Sequence, residues 1–263
     1  MSPGRVTGNP VANRPSDPEP LEVVLDFDGT LVEPNVAILL VEEFAPNGHA
    51  VAHEIDELLH QGQIGLREAW QRQVALLPTA RLPEMARFTR DQVPLRRGAR
   101  EFLTLLDRHR VPVTVVSGGL EFYIQEVLDR EKLHLPVRSD HLVISPEGRG
   151  EVAHPYGHPT CRLCGICKAG IVDRSLGNQR TIFIADGSTD RYGAEAADII
   201  FARRRLLDYC RRVGIPCFPF DDFVPVTEQF TRWLEGGMNL PPRRRRGLPD
   251  SPCPISQQLW SLS

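Results

Sequence analysis

Leu21-Glu-Val-Val-Leu-Asp26-Phe-Asp28-Gly-Thr30 joins a short apolar run to two carboxylates spaced two residues apart. The run Leu21 to Leu25 has the apolar, β-branched character of a buried strand. Three later runs share that character: Val111 to Val116, ending at Ser117-Gly118-Gly119; Thr181 to Ala185, ending at Asp186-Gly187; and Asp198 to Phe201. Helical patterns lie between them, over Arg97 to Arg108, Glu121 to Arg130, Ile166 to Leu176 and Leu206 to Val213. Strands alternating with helices predict an α/β fold, a Rossmann-like parallel sheet with helices on both faces. Ligands of open α/β sheets bind outside the carboxyl ends of the strands. Asp26, Asp28, Ser117 and Asp186 are therefore expected to converge on one edge.

The alternation is broken straight after the first strand. Residues 35–93 read as a run of helices (Val36 to Phe44, Ala50 to His60, Leu66 to Leu77, Pro83 to Gln92), an insert placed to cap the site and exclude water. The core is then expected over 21–34 and 94–235. Residues 1–20, rich in Pro, Gly, Asn and Ser and without the apolar stretch of a signal peptide, are expected to be a disordered leader. Residues 236–263, with Arg243 to Arg246 in a Pro- and Ser-rich setting, are expected to be a disordered basic tail. The 263 residues carry a formal net charge of -3, with 41% hydrophobic and 25% charged residues. That balance gives no global reason for nucleic-acid binding, and no apolar run is long enough for a membrane span. A cytoplasmic protein is expected, with a homodimer as the candidate assembly.

Two carboxylates at a strand end can face one metal and one phosphate. Phosphoryl transfer needs an in-line nucleophile, a cation to neutralise oxygen charge, and a proton donor for the leaving oxygen. Asp26 is the candidate nucleophile, since an Asp carboxylate can form an aspartyl-phosphate. Asp28 is the candidate acid and base. Ser117 and the Gly118 amide are placed to hold the phosphate where a helix begins. Lys168 would pair with the phosphate and keep Asp26 ionised. Asp26, the backbone carbonyl of Asp28, and Asp186 would give Mg²⁺ a hard oxygen site, with Asp190 as a further ligand or as a partner of Lys168. Each residue also has a plainer reading, as a turn, a cap or a surface charge.

These residues resemble, in order, the four motifs of the haloacid dehalogenase superfamily: Asp26 to Thr30, Ser117, Lys168, and Asp186-Gly187-Ser188-Thr189-Asp190. Ala185 stands where the family often has Gly. Within the superfamily the chain looks most like the phosphoserine-phosphatase-like group, and there like the methionine-salvage phosphatases that act on a 2-hydroxy-3-keto-5-methylthiopentenyl 1-phosphate. Phe44-Ala45-Pro46, Arg97 to Phe102, Cys164 to Lys168 and Phe218 to Phe223 carry that likeness. The resemblance implies a Mg²⁺-dependent hydrolase of a small-molecule phosphomonoester. Phosphoserine, phosphocholine and phosphoethanolamine stay open as substrates, as does phosphotransfer on the same site. Glu33 either contacts the substrate or caps the first insert helix, and Arg67 and Arg72 are candidates for clamping a substrate carboxylate.

His158-x2-Cys161-x2-Cys164-x2-Cys167 is a separate feature. Such spacing suits a structural Zn²⁺, and reduced thiols or a local disulfide compete with that reading. Cys253 is read as incidental.

Overall fold

The computed structural model describes residues 20–175, 179–236 and 239–262. The expected leader, up to residue 19, lies outside the described residues. Seven strands form one sheet in the order β4-β3-β2-β1-β5-β6-β7. Its centre is β1 (Leu21–Leu25), flanked by β2 (Val113–Leu120) and β5 (Arg180–Ala185), both parallel to it. Outward lie β6 (Ile199–Ala202) and β7 (Phe218–Pro219) on one side, β3 (Val137–Ile144) and β4 (Gly150–Ala153) on the other. Only β4 runs antiparallel to its neighbour.

Period-two alternation explains why the central strands bury both faces. Val23, Leu25, Ile182 and Ile184 point into one core cluster with Phe102 and Leu106 of α5 (Ala99–Arg108) and Phe223, Phe230 and Trp233 of α10 (Phe223–Glu235). Val24, Phe183 and Ala185 point the other way. There they meet α7 (Lys168–Ser175), α8 (Arg191–Ala196) and α9 (Arg204–Val213). The remaining core helix, α6 (Glu121–Arg130), returns from β2 to β3.

The expected insert forms α1 (Val36–Phe44), α2 (Gly48–His60), α3 (Leu66–Leu76) and α4 (Leu82–Gln92), so four helices follow the turn that ends β1. Its first helix is capped by Asn35, whose side chain accepts from the Ile38 amide at 3.2 Å. The α/β architecture with a parallel sheet is thus the one the alternation predicts.

The tail differs from expectation. Residues 239–262 lie against α7 and α8 and end in α11 (Pro254–Leu262), with Cys253 and Leu259 buried in the second core cluster. Every Arg of the run has an intramolecular partner. Arg243 faces Asp198 at 3.7 Å and Arg246 faces Asp173 at 3.7 Å. Arg244 donates to the carbonyls of Ala194 and Glu195, and Arg245 lies over the Trp260 ring. A composition that suggests a solvated tail is overridden here by burial of two apolar residues and by acids waiting on the core surface.

Candidate active site

β1 ends at Leu25, and Asp26 follows with its carboxylate 4% exposed. The chain then turns sharply through Phe27 to Leu31. Gly29 has φ 72°, and a Cβ there would sit 2.5 Å from an Asp186 carboxylate oxygen, so this position requires glycine. Two buried arginines brace the turn from outside. Arg96 donates to the carbonyls of Gly29 at 2.7 Å and Thr30 at 2.9 Å, and Arg203 to Gly29 at 2.6 Å. Arg96 did not stand out in the sequence, because a cation that serves carbonyl oxygens leaves no motif.

Five distant segments meet at this turn. Lys168, 3% exposed at the start of α7, donates to Asp26 Oδ1 at 2.5 Å and to Asp190. Asp190 also accepts from the Gly187 amide at 2.8 Å, which fixes its other oxygen. Asp186, at the end of β5, accepts from Thr30 Oγ1 at 3.2 Å. Asp28 turns away from these acids: Oδ1 accepts from the Val36 amide at 2.8 Å, and Oδ2 from Tyr123 Oη at 2.9 Å and Ser117 Oγ at 3.3 Å. Ser117 Oγ in turn accepts from the Gly119 amide at 2.9 Å. Asp26, Asp28, Ser117, Gly118, Lys168, Asp186 and Asp190 are therefore brought together, as their positions at strand and helix ends imply.

Electrostatics follow from this crowding. Burial, then repulsion from Asp190, hold Asp26 well above the ordinary carboxylate range. Burial pushes Asp186 up to about 6, with Asp190 adding to the shift. Asp28 is also raised to about 6 by burial, against the opposing bonds from Val36, Tyr123 and Ser117. Burial opposes the charge on Lys168, yet the Asp190 and Asp26 carboxylates hold it above its ordinary value. Carboxylate oxygens of Asp26, Asp186 and Asp190 lie within 4.8 Å of one another. Three such oxygens against one ammonium leave an excess of negative charge, and a hard donor set of this kind fits Mg²⁺.

Above the site is a cavity of about 460 Å³. Ile38, Leu59, Leu66 and Trp70 of the cap face Asp26, Ser117 and Asp190 of the core across it. Trp70 Nε1 donates to the Gly118 carbonyl at 2.7 Å, so the helical insert and the loop after Ser117 touch directly. Arg204, Arg205, Asp56 and Asp208 also line it.

Several expectations fail. Glu33 is exposed and does not line the cavity, and Asn35 supplies the helix cap. Arg67 donates to the Cys164 carbonyl at 2.9 Å and Arg72 pairs with Glu68 at 2.6 Å, so both are already used. The arginines that do border the cavity, Arg204 and Arg205, start α9, two residues before the helical pattern read from the sequence at Leu206. Tyr123 was hidden among the apolar residues of α6. The zinc reading is not supported. Among the described residues, the ligand sets that converge are Asp26/Asp186/Asp190 and Glu42/His49/His53, without the thiols. His158 Nδ1 instead accepts from the Cys161 amide at 3.0 Å, and burial pushes the Cys164 thiol up to about 12.

The family model for haloacid dehalogenase-like hydrolases matches residues 23–195. Curated relatives named 2-hydroxy-3-keto-5-methylthiopentenyl-1-phosphate phosphatase include one from Exiguobacterium sp., 31% identical over 208 residues (78% of this chain, 94% of that one). Another, from Microcystis aeruginosa, is 30% identical over 207 residues (78% and 95%). Among solved structures, a phospho-aspartyl intermediate analogue of phosphoserine phosphatase superposes with a TM-score of 0.63 at 18% identity, covering 80% of this chain and 99% of that one. A phosphoserine phosphohydrolase-like protein from Francisella tularensis gives 0.63 at 21% identity, with 80% and 99% covered. Family match, sheet topology and the placement of the motifs agree, and the chain belongs to the haloacid dehalogenase-like hydrolases.

Proposed function

We propose that this phosphomonoester hydrolase works through Asp26 as nucleophile, with Asp28 as acid and base, at a site suited to Mg²⁺. The observation that carries the reading is the division of labour between two buried carboxylates two residues apart. Asp26 faces Lys168, Asp186 and Asp190, while Asp28 is held apart by Val36, Tyr123 and Ser117.

A carboxylate oxygen of Asp26 attacks phosphorus as the bond to the leaving oxygen breaks, and Asp28 gives that oxygen its proton. Asp28 then takes a proton from water. The water oxygen attacks the same phosphorus, the bond to Asp26 breaks, and inorganic phosphate leaves with the free carboxylate restored. Lys168 orients Asp26 and adds positive charge beside the transferring group. Ser117 Oγ and the backbone after it offer donors to the phosphoryl oxygens. Asp26, Asp186 and the Asp28 carbonyl are the candidate holders of the cation, with Asp190 beside them. When bound, a divalent cation there supplies charge neutralisation at the phosphoryl oxygens. A raised Asp28, at about 6, suits a group that must both hold and release a proton.

The finer reading is a small phosphomonoester with an apolar arm, of the methionine-salvage kind. Support comes from the names of the curated relatives and from the apolar cap wall of Ile38, Leu59, Leu66 and Trp70. Arg204 and Arg205, paired with Asp186 and Asp56 yet lining the cavity, favour a second reading, a substrate with a carboxylate such as phosphoserine. Rates of purified protein on p-nitrophenyl phosphate with Mg²⁺ test the mechanism. Asp26→Asn and Asp28→Asn are each expected to lose turnover by about 10²-fold or more. Rates near wild type in both would overturn the roles. A panel with phosphoserine and a methionine-salvage enol phosphate ranks the two substrate readings by kcat/KM.

A further inference from the structure

A second cluster of ligand-type side chains lies on the cap, away from the carboxylates of the core. Glu42 is on the last turns of α1, and His49 and His53 are four residues apart on α2, so both imidazoles rise from one face of that helix. Glu42 Oε1 lies 2.8 Å from His49 Nδ1 and 3.4 Å from His53 Nε2. The two rings meet edge to face, 4.6 Å between centroids. All three ligand atoms fall within 4.8 Å of one another.

The backbone builds this convergence. Gly48, the residue before His49, packs against the Val41 and Glu42 carbonyls so closely that a Cβ would meet Val41 O and come within 2.8 Å of Glu42 O. Asn47 enters the helix in the left-handed region at φ 54°. The ligand-bearing positions on α1 and α2 are therefore set by direct contact of main chains. As a plain surface arrangement the trio gains little, because exposed ion pairs add little stability and both rings compete for one oxygen.

We propose that Glu42, His49 and His53 form a binding site for a borderline transition-metal cation of the Zn²⁺ class. Two imidazoles and one carboxylate suit Zn²⁺, Co²⁺ or Ni²⁺, whereas Mg²⁺ prefers oxygen donors throughout. His49 and His53 are 81% and 60% exposed, so the ion enters freely and keeps water on its open positions. It would tie α1 to α2. That helix pair carries Ile38 and Leu59 of the cavity wall, and the first amide of α1 is the one bonded to Asp28. The bound ion acts on cap rigidity and takes no part in phosphoryl transfer.

The test uses the full chain in excess Mg²⁺, which keeps the core carboxylates occupied. Co²⁺ is the probe, because its visible bands report nitrogen and oxygen ligation and thiolate ligands add an intense near-ultraviolet band. One equivalent should bind without the thiolate band. Affinity should fall by at least about tenfold in His53→Ala, and the conservative Glu42→Gln should also weaken it. Zn²⁺ should raise the Tm of the wild type and leave that of His49→Ala/His53→Ala unchanged. These side chains are exposed, so the variants should fold, with unchanged Mg²⁺-supported turnover. Absence of Co²⁺ and Zn²⁺ binding would overturn the site, as would binding that persists in the double variant or shows thiolate bands.

Discussion

At the core end of the cavity, the carboxylates are held by hydrogen bonds from buried side chains and backbone amides; at the cap end, an apolar wall is joined to the core by a few hydrogen bonds. Asp26, Ser117, Lys168 and Asp190 are at most 4% exposed, and their loop is braced by Arg96 and Arg203. Ile38, Leu59 and Leu66 are only partly buried, and the cap reaches the core through contacts such as Trp70 to Gly118, Arg67 to Cys164 and Arg205 to Asp56. Chemistry that depends on fixed charges sits on the rigid side. On the proposed function, recognition of the organic part of a substrate would fall to the less buried insert helices, as in a lid that encloses a ligand.

The largest effect expected outside the reacting groups is at the brace. Arg96→Ala leaves the buried Thr30 carbonyl without its donor and the Gly29 carbonyl with Arg203 alone. An unsatisfied buried group costs about 1–3 kcal/mol, so a loss of about 2 kcal/mol is expected, read as a lower midpoint in urea unfolding. Turnover of the folded fraction should fall as well, since Gly29 and Asp186 are in near contact. A variant with wild-type stability would show that the turn holds itself.

The matching change in the cap is Trp70→Phe, which keeps the ring and removes the donor to Gly118. A bond of this kind contributes about 1 kcal/mol. If the cap serves recognition, the cost should appear as a rise in KM of about fivefold with kcat nearly unchanged. A fall in kcat at constant KM would place Trp70 with the reacting groups and erase the contrast drawn above.

That contrast also governs what could be read in advance. Buried parallel strands are continuous apolar runs, so β1, β2, β5 and β6 announced themselves, and a polar residue at the carboxyl ends of the first three marked the site. The cap helices were legible from their amphipathic period, two of them to the residue at their starts, at Val36 and Leu66. The hairpin of β3 and β4 was not. Its sequence mixes Arg138, Asp140 and His141 with apolar residues, and Val143 and Ile144 stay 47% and 42% exposed. Tyr123 and Arg96 escaped because their function lies in what they touch, across 95 and 67 residues of chain. The cysteine spacing misled for the converse reason: spacing suggested a cage, and the loop uses His158 for its own backbone.

The smallest effect concerns the seam between cap and core, where β3 and the loop before α7 meet α3. Asp140, fully buried, lies 3.0 Å from His154 Nδ1, and the Arg67 guanidinium is close enough to act on both. Burial raises Asp140 from 3.8 to about 8, and burial, then Arg67, lowers His154 from 6.5. The proton of this pair therefore rests on the carboxyl. For Asp140 alone, stability is full below pH 3.8 and is lost as pH rises through about 8. For His154 the sign is opposite, and stability is gained as pH rises toward 6.5. The two trends offset each other below pH 6.5, so the remaining loss falls between 6.5 and about 8. Its size is on the order of 1 kcal/mol, because the Arg67 guanidinium, then Lys168, offsets part of the burial cost. Asp140→Asn cannot titrate yet can still donate to His154, so its Tm should stay flat across that window while the wild type declines. A decline of equal slope in the variant would move the proton, and the pH sensitivity of the seam, to other groups.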